Sequence, residues 1–256
     1  MSFGDLLKCV ILCAGYATRL YPLTKDNPKP LLKVAEKPVL EHILERILPI
    51  EDLDEIFIVT NSRFFGHFEE WLEGFAADVP AGKRIEIIDD GTTTNETRLG
   101  GLGDLLFVLD EKAIEDDVLV VAGDNLFTFD LGSFIDGCKA AGVSSIGLHD
   151  VEDLDEAKKF GIVSVDKYDT ITGFEEKPEH PKSTLASTGV YFYPRSVLGL
   201  FEDYIAESDK MDGPGFFVKW LYKRQPVKGL KLSGKWFDIG SFENLERANE
   251  EFGGKK

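Results

Sequence analysis

The stretch KCVILCAGYATRLYPLTKDNPKPLLKV, residues 8–34, changes character twice. It begins as an unbroken apolar run from Cys9 to Cys13, the pattern of a strand buried on both faces. It passes through the small residues Ala14, Gly15 and Ala17 into a proline-spaced segment. That segment carries Arg19, Lys25, Lys29 and Lys33 against one acid, Asp26. The chain as a whole is acidic: 46 Asp and Glu against 29 Lys and Arg give 256 residues a net charge of −17. A cationic loop on an acidic protein marks a small site for an anionic ligand. The same net charge argues against a general nucleic-acid binder, which needs a broad basic face.

Working outward from that strand, apolar runs alternate with helical periodicity. PVLEHILERILPI sets Val39, Leu40, Ile43, Leu44, Ile47 and Leu48 on one helical face, with Pro38 at the helix start. DEIFIVTN, RIEIIDDG and DVLVVAGDN read as further strands; RFFGHFEEWLEGF and LGDLLFVLDEKAI read as helices. The alternation predicts an α/β fold, a Rossmann-like, doubly wound, mostly parallel sheet covered on both faces. After about Ile162 the strands shorten and alternate. IVSVDKYDTITGFEEKP reads as a hairpin and STGVYFYP as another strand, which predicts a smaller antiparallel insertion. WFDIGSFENLERANEEF reads as a turn and a last helix with Ser241 as its N-cap. No linker, repeat or low-complexity tract divides the chain. One domain over residues 1–256 is expected, with lobes at 1–150 and 151–256. Only residues 250–256 read as disordered.

Other classes are disfavoured. Cys9, Cys13 and Cys138 are odd in number and lack CxxC spacing, so buried reduced thiols in a cytoplasmic protein are expected. The four histidines make no paired-ligand pattern. No apolar stretch reaches the roughly 18 residues of a membrane span. Lys8 interrupts the only run that resembles a signal peptide.

Ligands of open α/β sheets sit beyond the carboxyl ends of strands, so the loop after KCVILC is the default site. It is neither GxxxxGK[ST] nor GxGxxG. Pro28 and Pro30 flank Lys29, which predicts an extended, stiff strut that presents the lysine. A proline-rich loop with a solvated lysine is the plainer alternative.

ILCAGYATRLYPLTKDNPKPLLKV resembles the signature of the sugar-1-phosphate nucleotidyltransferases: a small-residue loop, then Thr-Arg, then Lys-Pro about ten residues on. LVVAGDN (119–125), GIVSVDKYDTITGFEEKP (161–178), STGVYFYP (187–194) and WFDIGSFENLERAN (236–249) resemble that family's later motifs in order. The resemblance implies attack of a sugar 1-phosphate oxygen on the α-phosphorus of a nucleoside triphosphate, with pyrophosphate leaving. It implies that Leu12, Ala14, Gly15, Tyr16, Ala17, Thr18, Gly100 and Gly103 bind the nucleotide. It gives Arg19 the leaving phosphates and Lys29 the α-phosphate and the incoming sugar phosphate. Gly161, Glu176, Lys177 and Gly189 would form the sugar-phosphate site, and Asp124 and Asp238 would hold Mg²⁺. Two distant carboxylates suffice for Mg²⁺ when substrate phosphates complete the shell, although each Asp is also an ordinary turn residue. Of Glu175 and Glu176, which strand alternation points to opposite faces, the Glu-Lys-Pro motif selects Glu176. The resemblance also allows a homo-oligomer.

Some positions depart from the family pattern. Ala17 stands where a glycine is usual. The base-reading segment is NETRLGGLGDLL (95–106), where Asn95, Glu96, Thr97 and Arg98 stand near the place of a usual glutamine. DKMDGPGFFVKWLY replaces another familiar stretch, and its Phe216, Phe217, Trp220 and Leu221 read as a core-facing helix. No hexapeptide repeat follows, so no C-terminal β-helix is expected. Three other functions fit parts of the pattern: a cytidylyltransferase acting on a phosphorylated alcohol such as phosphocholine, a nucleotide-sugar-binding regulator without turnover, and a glycosyltransferase. Gly161 with Glu176-Lys177-Pro178 favours the sugar over the first. Retention of Arg19, Lys29, Asp124 and Asp238 disfavours the second. Asp124-Asn125-Leu126 lacks the second metal Asp usual in the third.

Overall fold

The structure, a computed structural model, describes residues 6–253. β1 (Leu7–Leu12) leads through one 3-10 turn, Thr18–Leu20, and a second, Lys29–Leu31, to the short ribbon β2 (Lys33–Val34) and β3 (Lys37–Pro38). Then come α1 (Val39–Ile47), β4 (Leu53–Thr60), α2 (Phe65–Phe75), β5 (Arg84–Asp89), α3 (Gly101–Glu111) and β6 (Asp117–Ala122). β7 (Asn125–Phe127), α4 (Leu131–Ala141), β8 (Ser145–Asp150) and α5 (Leu154–Ala157) follow. The hairpin strands are β9 (Gly161–Val165) and β10 (Ile171–Glu176), and the longest strand is β11 (Leu185–Tyr193). α6 (Arg195–Leu198), α7 (Leu200–Glu207), α8 (Pro214–Leu221), β12 (Lys228–Lys231), β13 (Trp236–Asp238) and α9 (Phe242–Phe252) complete the chain.

Nine strands form one mixed sheet in the order β10-β9-β11-β6-β1-β4-β5, with β8 and β12 branching beside β11. β6, β1, β4 and β5 are mutually parallel, as the apolar runs predicted. Each strand feeds both faces by simple alternation. Leu7, Cys9 and Ile11 of β1 enter the core under α1, α2, α4 and α9, while Val10 enters the core under α3, α7 and α8. The apolar runs are continuous because both faces are covered.

The antiparallel part is not a sheet of its own. β11 pairs antiparallel with β6 through Val190↔Val121 to Tyr193↔Val118, so the later strands extend the first sheet. A bulge in β11 between Ser187 and Tyr191 lets one strand serve both β6 and β8. β8, with Gly147 and two serines in or beside it, gave no strong strand pattern in the sequence. β9 and β10 form the expected hairpin, and Ser241 Oγ caps α9 by accepting from Asn244 N–H at 3.2 Å. Residues 250–252, expected to be disordered, belong to α9; residues 254–256 lie outside the described part. Lys29 is not on an extended strut: it opens the 3-10 turn, with Pro30 at the second position. Lys8, unusual in a buried strand, is held by Asp54 at 2.9 Å and Glu55 at 2.8 Å. No described helix is long and apolar enough to cross a membrane.

Candidate active site

The loop after β1 turns over the sheet's carboxyl edge. Ala17 takes a left-handed conformation at φ 47°, and its carbonyl accepts from Thr24 Oγ1 at 2.7 Å. Asn61, just past β4, donates to the Ala14 carbonyl at 2.9 Å. Beneath this loop lies a cavity of about 320 Å³. Leu12, Ala14, Gly15, Ala17 and Gly100 line it, as do Arg19, Lys29 and Asp124. Three residues expected there do not. Tyr16 is buried against Phe64, Thr18 is exposed on the 3-10 turn, and Gly103 lies inside α3 against Leu99. Of Asn95, Glu96, Thr97 and Arg98, only Arg98 lines the cavity.

A second cavity, of about 330 Å³, adjoins the first and shares Asp124 and Asp212 with it. The hairpin brings Gly161, Glu176 and Lys177 into it, and β11 brings Gly189 and Tyr191. Lys177 holds a positive φ of 44° while its N–H donates to the Phe160 carbonyl at 3.0 Å. Glu175 turns to Lys182 instead, at 3.5 Å, which agrees with Glu176 as the inward residue.

Asp124 and Asp238, 114 residues apart, meet where the cavities join. β7 pairs with β13 so that Asn125 faces Asp238, and Ile239 N–H donates to the Asp124 carbonyl at 2.9 Å. Close approach at Gly123 sets Asp124 beside the β1 loop: Gly123 N–H donates to the Leu12 carbonyl at 2.9 Å, and a Cβ there would collide with Cys13 Sγ. Trp236 Nε1 donates to Asn125 Oδ1 at 2.7 Å, and Asn125 Nδ2 donates to Asp124 Oδ1 at 2.9 Å. Asn244 Nδ2 holds the Asp238 carbonyl at 2.8 Å.

Charge is concentrated at this junction. Lys29 Nζ lies 2.8 Å from Asp124 Oδ2. Burial would push the Asp124 carboxyl up, but the Lys29 ammonium outweighs it and holds the group below the usual range. Asp238 is pushed up to about 6, by burial first and by Asp124 second, although Lys29, Arg19 and Lys177 oppose the shift. Three cations from three segments therefore act on one carboxylate. Two acids that repel each other beside open cavities suit a hard divalent cation, whose remaining ligands a bound phosphate supplies. No cluster of three or more Asp, Glu, His or Cys that could hold a metal occurs among the described residues, so a protein-only cage is not on offer.

Sequence reading missed Asp90, Asp104 and Asp212. Asp104 and Asp212 line the first cavity, and Asp90 lies close enough to Asp104 to act on its ionisation. Asp212 comes with a segment that docks on the start of α3: the carbonyls of Met211 and Asp212 accept from Leu102 and Gly101 N–H at 3.0 and 2.9 Å. A larger hollow of about 640 Å³ backs onto Trp236 and Asp238. Its walls carry Asp150, Glu152, Asp153, Asp155 and Glu156 against Lys159 and Arg247, so it is a poor host for a polyphosphate.

Known proteins match the chain over nearly its whole length. The family model described as nucleotidyl transferase matches residues 8–253. The bifunctional protein GlmU of Methanocaldococcus jannaschii is 30% identical over 246 residues, covering 95% of this chain and 54% of that protein. The UTP–glucose-1-phosphate uridylyltransferase of a Synechocystis species is 29% identical over 255 residues, covering 94% and 62%. The chain thus spans little more than half the length of these relatives. Among solved structures, a putative glucose-1-phosphate thymidylyltransferase from Bacillus anthracis superposes with a TM-score of 0.78 at 25% identity, covering 98% of this chain and 96% of that one.

Proposed function

Since the chain belongs to the nucleotidyl transferase family over residues 8–253, we propose that it transfers a nucleotidyl group from a nucleoside triphosphate to a sugar 1-phosphate. The observation that carries this reading is the pair of adjoining cavities, one with Arg19 and Lys29, the other with Glu176 and Lys177, sharing Asp124. Two polyanions seated in them would meet at the shared wall.

In this reading an oxygen of the sugar 1-phosphate attacks the α-phosphorus in line, a P–O bond forms, and the bond to pyrophosphate breaks. The protein supplies position and charge rather than a covalent nucleophile. Arg19, with its planar donor fork, suits the departing phosphates. Lys29, buried and pre-placed, suits the α-phosphate and exchanges its Asp124 partner for phosphate oxygen. Lys177 neutralises the incoming sugar phosphate, and Glu176 accepts from sugar hydroxyls. Asp124 and Asp238 would hold Mg²⁺, which when bound neutralises phosphate charge and makes the α-phosphorus more electrophilic. The names of the relatives point to hexose 1-phosphates as acceptors.

The test is pyrophosphate release with Mg²⁺ from each common triphosphate paired with several sugar 1-phosphates. Release that depends on both substrates is expected; none from any pair would remove the proposal.

A further inference from the structure

Asp90 and Asp104 form a buried acid pair that the transfer chemistry above does not use. Asp90 directly follows β5, where Asp90 N–H donates to the Thr60 carbonyl at 2.9 Å and its own Oδ1 accepts from Thr92 N–H at 2.7 Å. Asp104 sits in the first turn of α3 and lines the 320 Å³ cavity beside Gly100 and Gly101. The two carboxyls lie close enough for each to act on the other's ionisation. Only 7% of Asp90 and 4% of Asp104 is exposed. Asp90 Oδ2 and Asp104 Oδ1 are sealed from solvent with no donor, and among the described residues no lysine, arginine or histidine pairs with either acid. Such a pair is costly to bury, and one shared proton lowers the cost by giving the sealed oxygens a donor. Burial, and Asp90 after it, push Asp104 up to about 8.

We propose that the Asp90–Asp104 carboxyl pair reads the nucleobase and selects one that carries an exocyclic amino group. The inference rests on the nucleotidyl-transfer reading of the same cavity. Whichever acid holds the shared proton, it is spent between the two carboxyls, so Asp104 meets the cavity as a hydrogen-bond acceptor beside a net negative charge. Cytosine, adenine and guanine offer an amino group to such an acceptor. Uracil and thymine offer one ring N–H between two carbonyl oxygens, and at least one of these would face the acid pair. No asparagine or glutamine lines the cavity to complement that edge instead. Arg98, the cation that the segment before α3 brings to the cavity, is paired with Asp212 at 3.1 Å. The uridylyl and thymidylyl names of similar proteins make this a point of divergence.

The experiment is calorimetric titration of the purified protein with CTP, GTP, ATP, UTP and dTTP in Mg²⁺, with pyrophosphate release measured on the same samples. At least one amino-bearing triphosphate should bind about tenfold or more tighter than UTP and dTTP. Asp104→Leu, which takes the acceptor away from the wall at similar size, should narrow that gap to under about threefold while circular dichroism stays native. UTP or dTTP binding as tightly as any amino-bearing triphosphate overturns the inference, as does an unchanged preference in folded Asp104→Leu. If that variant does not fold, the wild-type panel decides alone. Tight, base-selective binding without pyrophosphate release from any sugar 1-phosphate would remove nucleotidyl transfer and keep the base selection. Release from UTP or dTTP alone would do the reverse.

Discussion

Lys29 Nζ and Asp124 Oδ2, separated by 95 residues of sequence, stand 2.8 Å apart where the two cavities join. The lysine side chain is 11% exposed, whereas the aspartate keeps 37% of its surface open. The lysine is thus held in place by packing and the acid faces the space a substrate would fill. The pair neutralises the site before any ligand arrives, and it gives Lys29 a partner of the same chemistry as the phosphate oxygen proposed to replace it.

Lys29→Met should therefore separate chemistry from folding. Pyrophosphate release should fall by about a hundredfold or more, as expected when a charge serving the transition state is removed. Stability should fall by only about 1–2 kcal/mol, because Asp124 is open enough for water to replace much of the lost partner. Turnover and thermal melting on the same preparation check this. Near-native turnover would return Lys29 to a purely structural role.

Removal of divalent metal should show a similar split. With excess chelator, pyrophosphate release should cease, while the melting temperature stays within about 2 °C of the untreated protein. The reason is local: Lys29 already covers Asp124, and Lys29, Arg19 and Lys177 all act on Asp238, so the bare site's two acids already have cations beside them. A large drop in melting temperature would mean that the metal holds the fold together.

The features legible in the sequence were those that one segment carries by itself. The strand from Leu7 to Leu12 and the parallel partners of β1 were visible because burial on both faces writes a continuous apolar run. The Ser241 cap was visible because capping is local. The antiparallel pairing of β11 with β6 was not, since one bulged strand serving two partners has no local signature. Within the candidate site, Arg19, Lys29, Asp124, Glu176, Lys177 and Asp238 were named through motif resemblance, and the structure brings them to the two joined cavities. Asp90 and Asp104 were passed over because each has an innocent local explanation: one follows a strand, and the other complements the start of a helix. Only tertiary packing shows that they share one buried place.

Gly100 tests how the loop before α3 is held. Its φ of 81° and ψ of 158° lie in a region open to glycine, and a Cβ there would collide with the Met211 carbonyl. That carbonyl and its neighbour satisfy the first N–H groups of α3. Gly100→Ala should cost about 3 kcal/mol or more in urea unfolding and undock the segment that carries Asp212 into both cavities. A loss below about 1 kcal/mol would show that this docking contributes little.

Asp104 should leave its mark on stability as a function of pH. Its carboxyl titrates near 8 in the folded protein against about 4 when unfolded. Between those values the folded state holds a proton that the unfolded state has released. The sign follows from that difference: this group's favourable contribution is complete below about pH 4, declines as pH rises, and is gone above about pH 8. A single such group changes stability by about 1 kcal/mol per pH unit across the interval. Asp104→Asn removes the titration. Its unfolding free energy relative to wild type should therefore rise steadily from pH 5 to pH 8 and level off beyond, when both proteins are followed by urea unfolding at constant ionic strength. Parallel curves for the two proteins would mean that Asp104 is already ionised at neutral pH and that no shared proton joins it to Asp90.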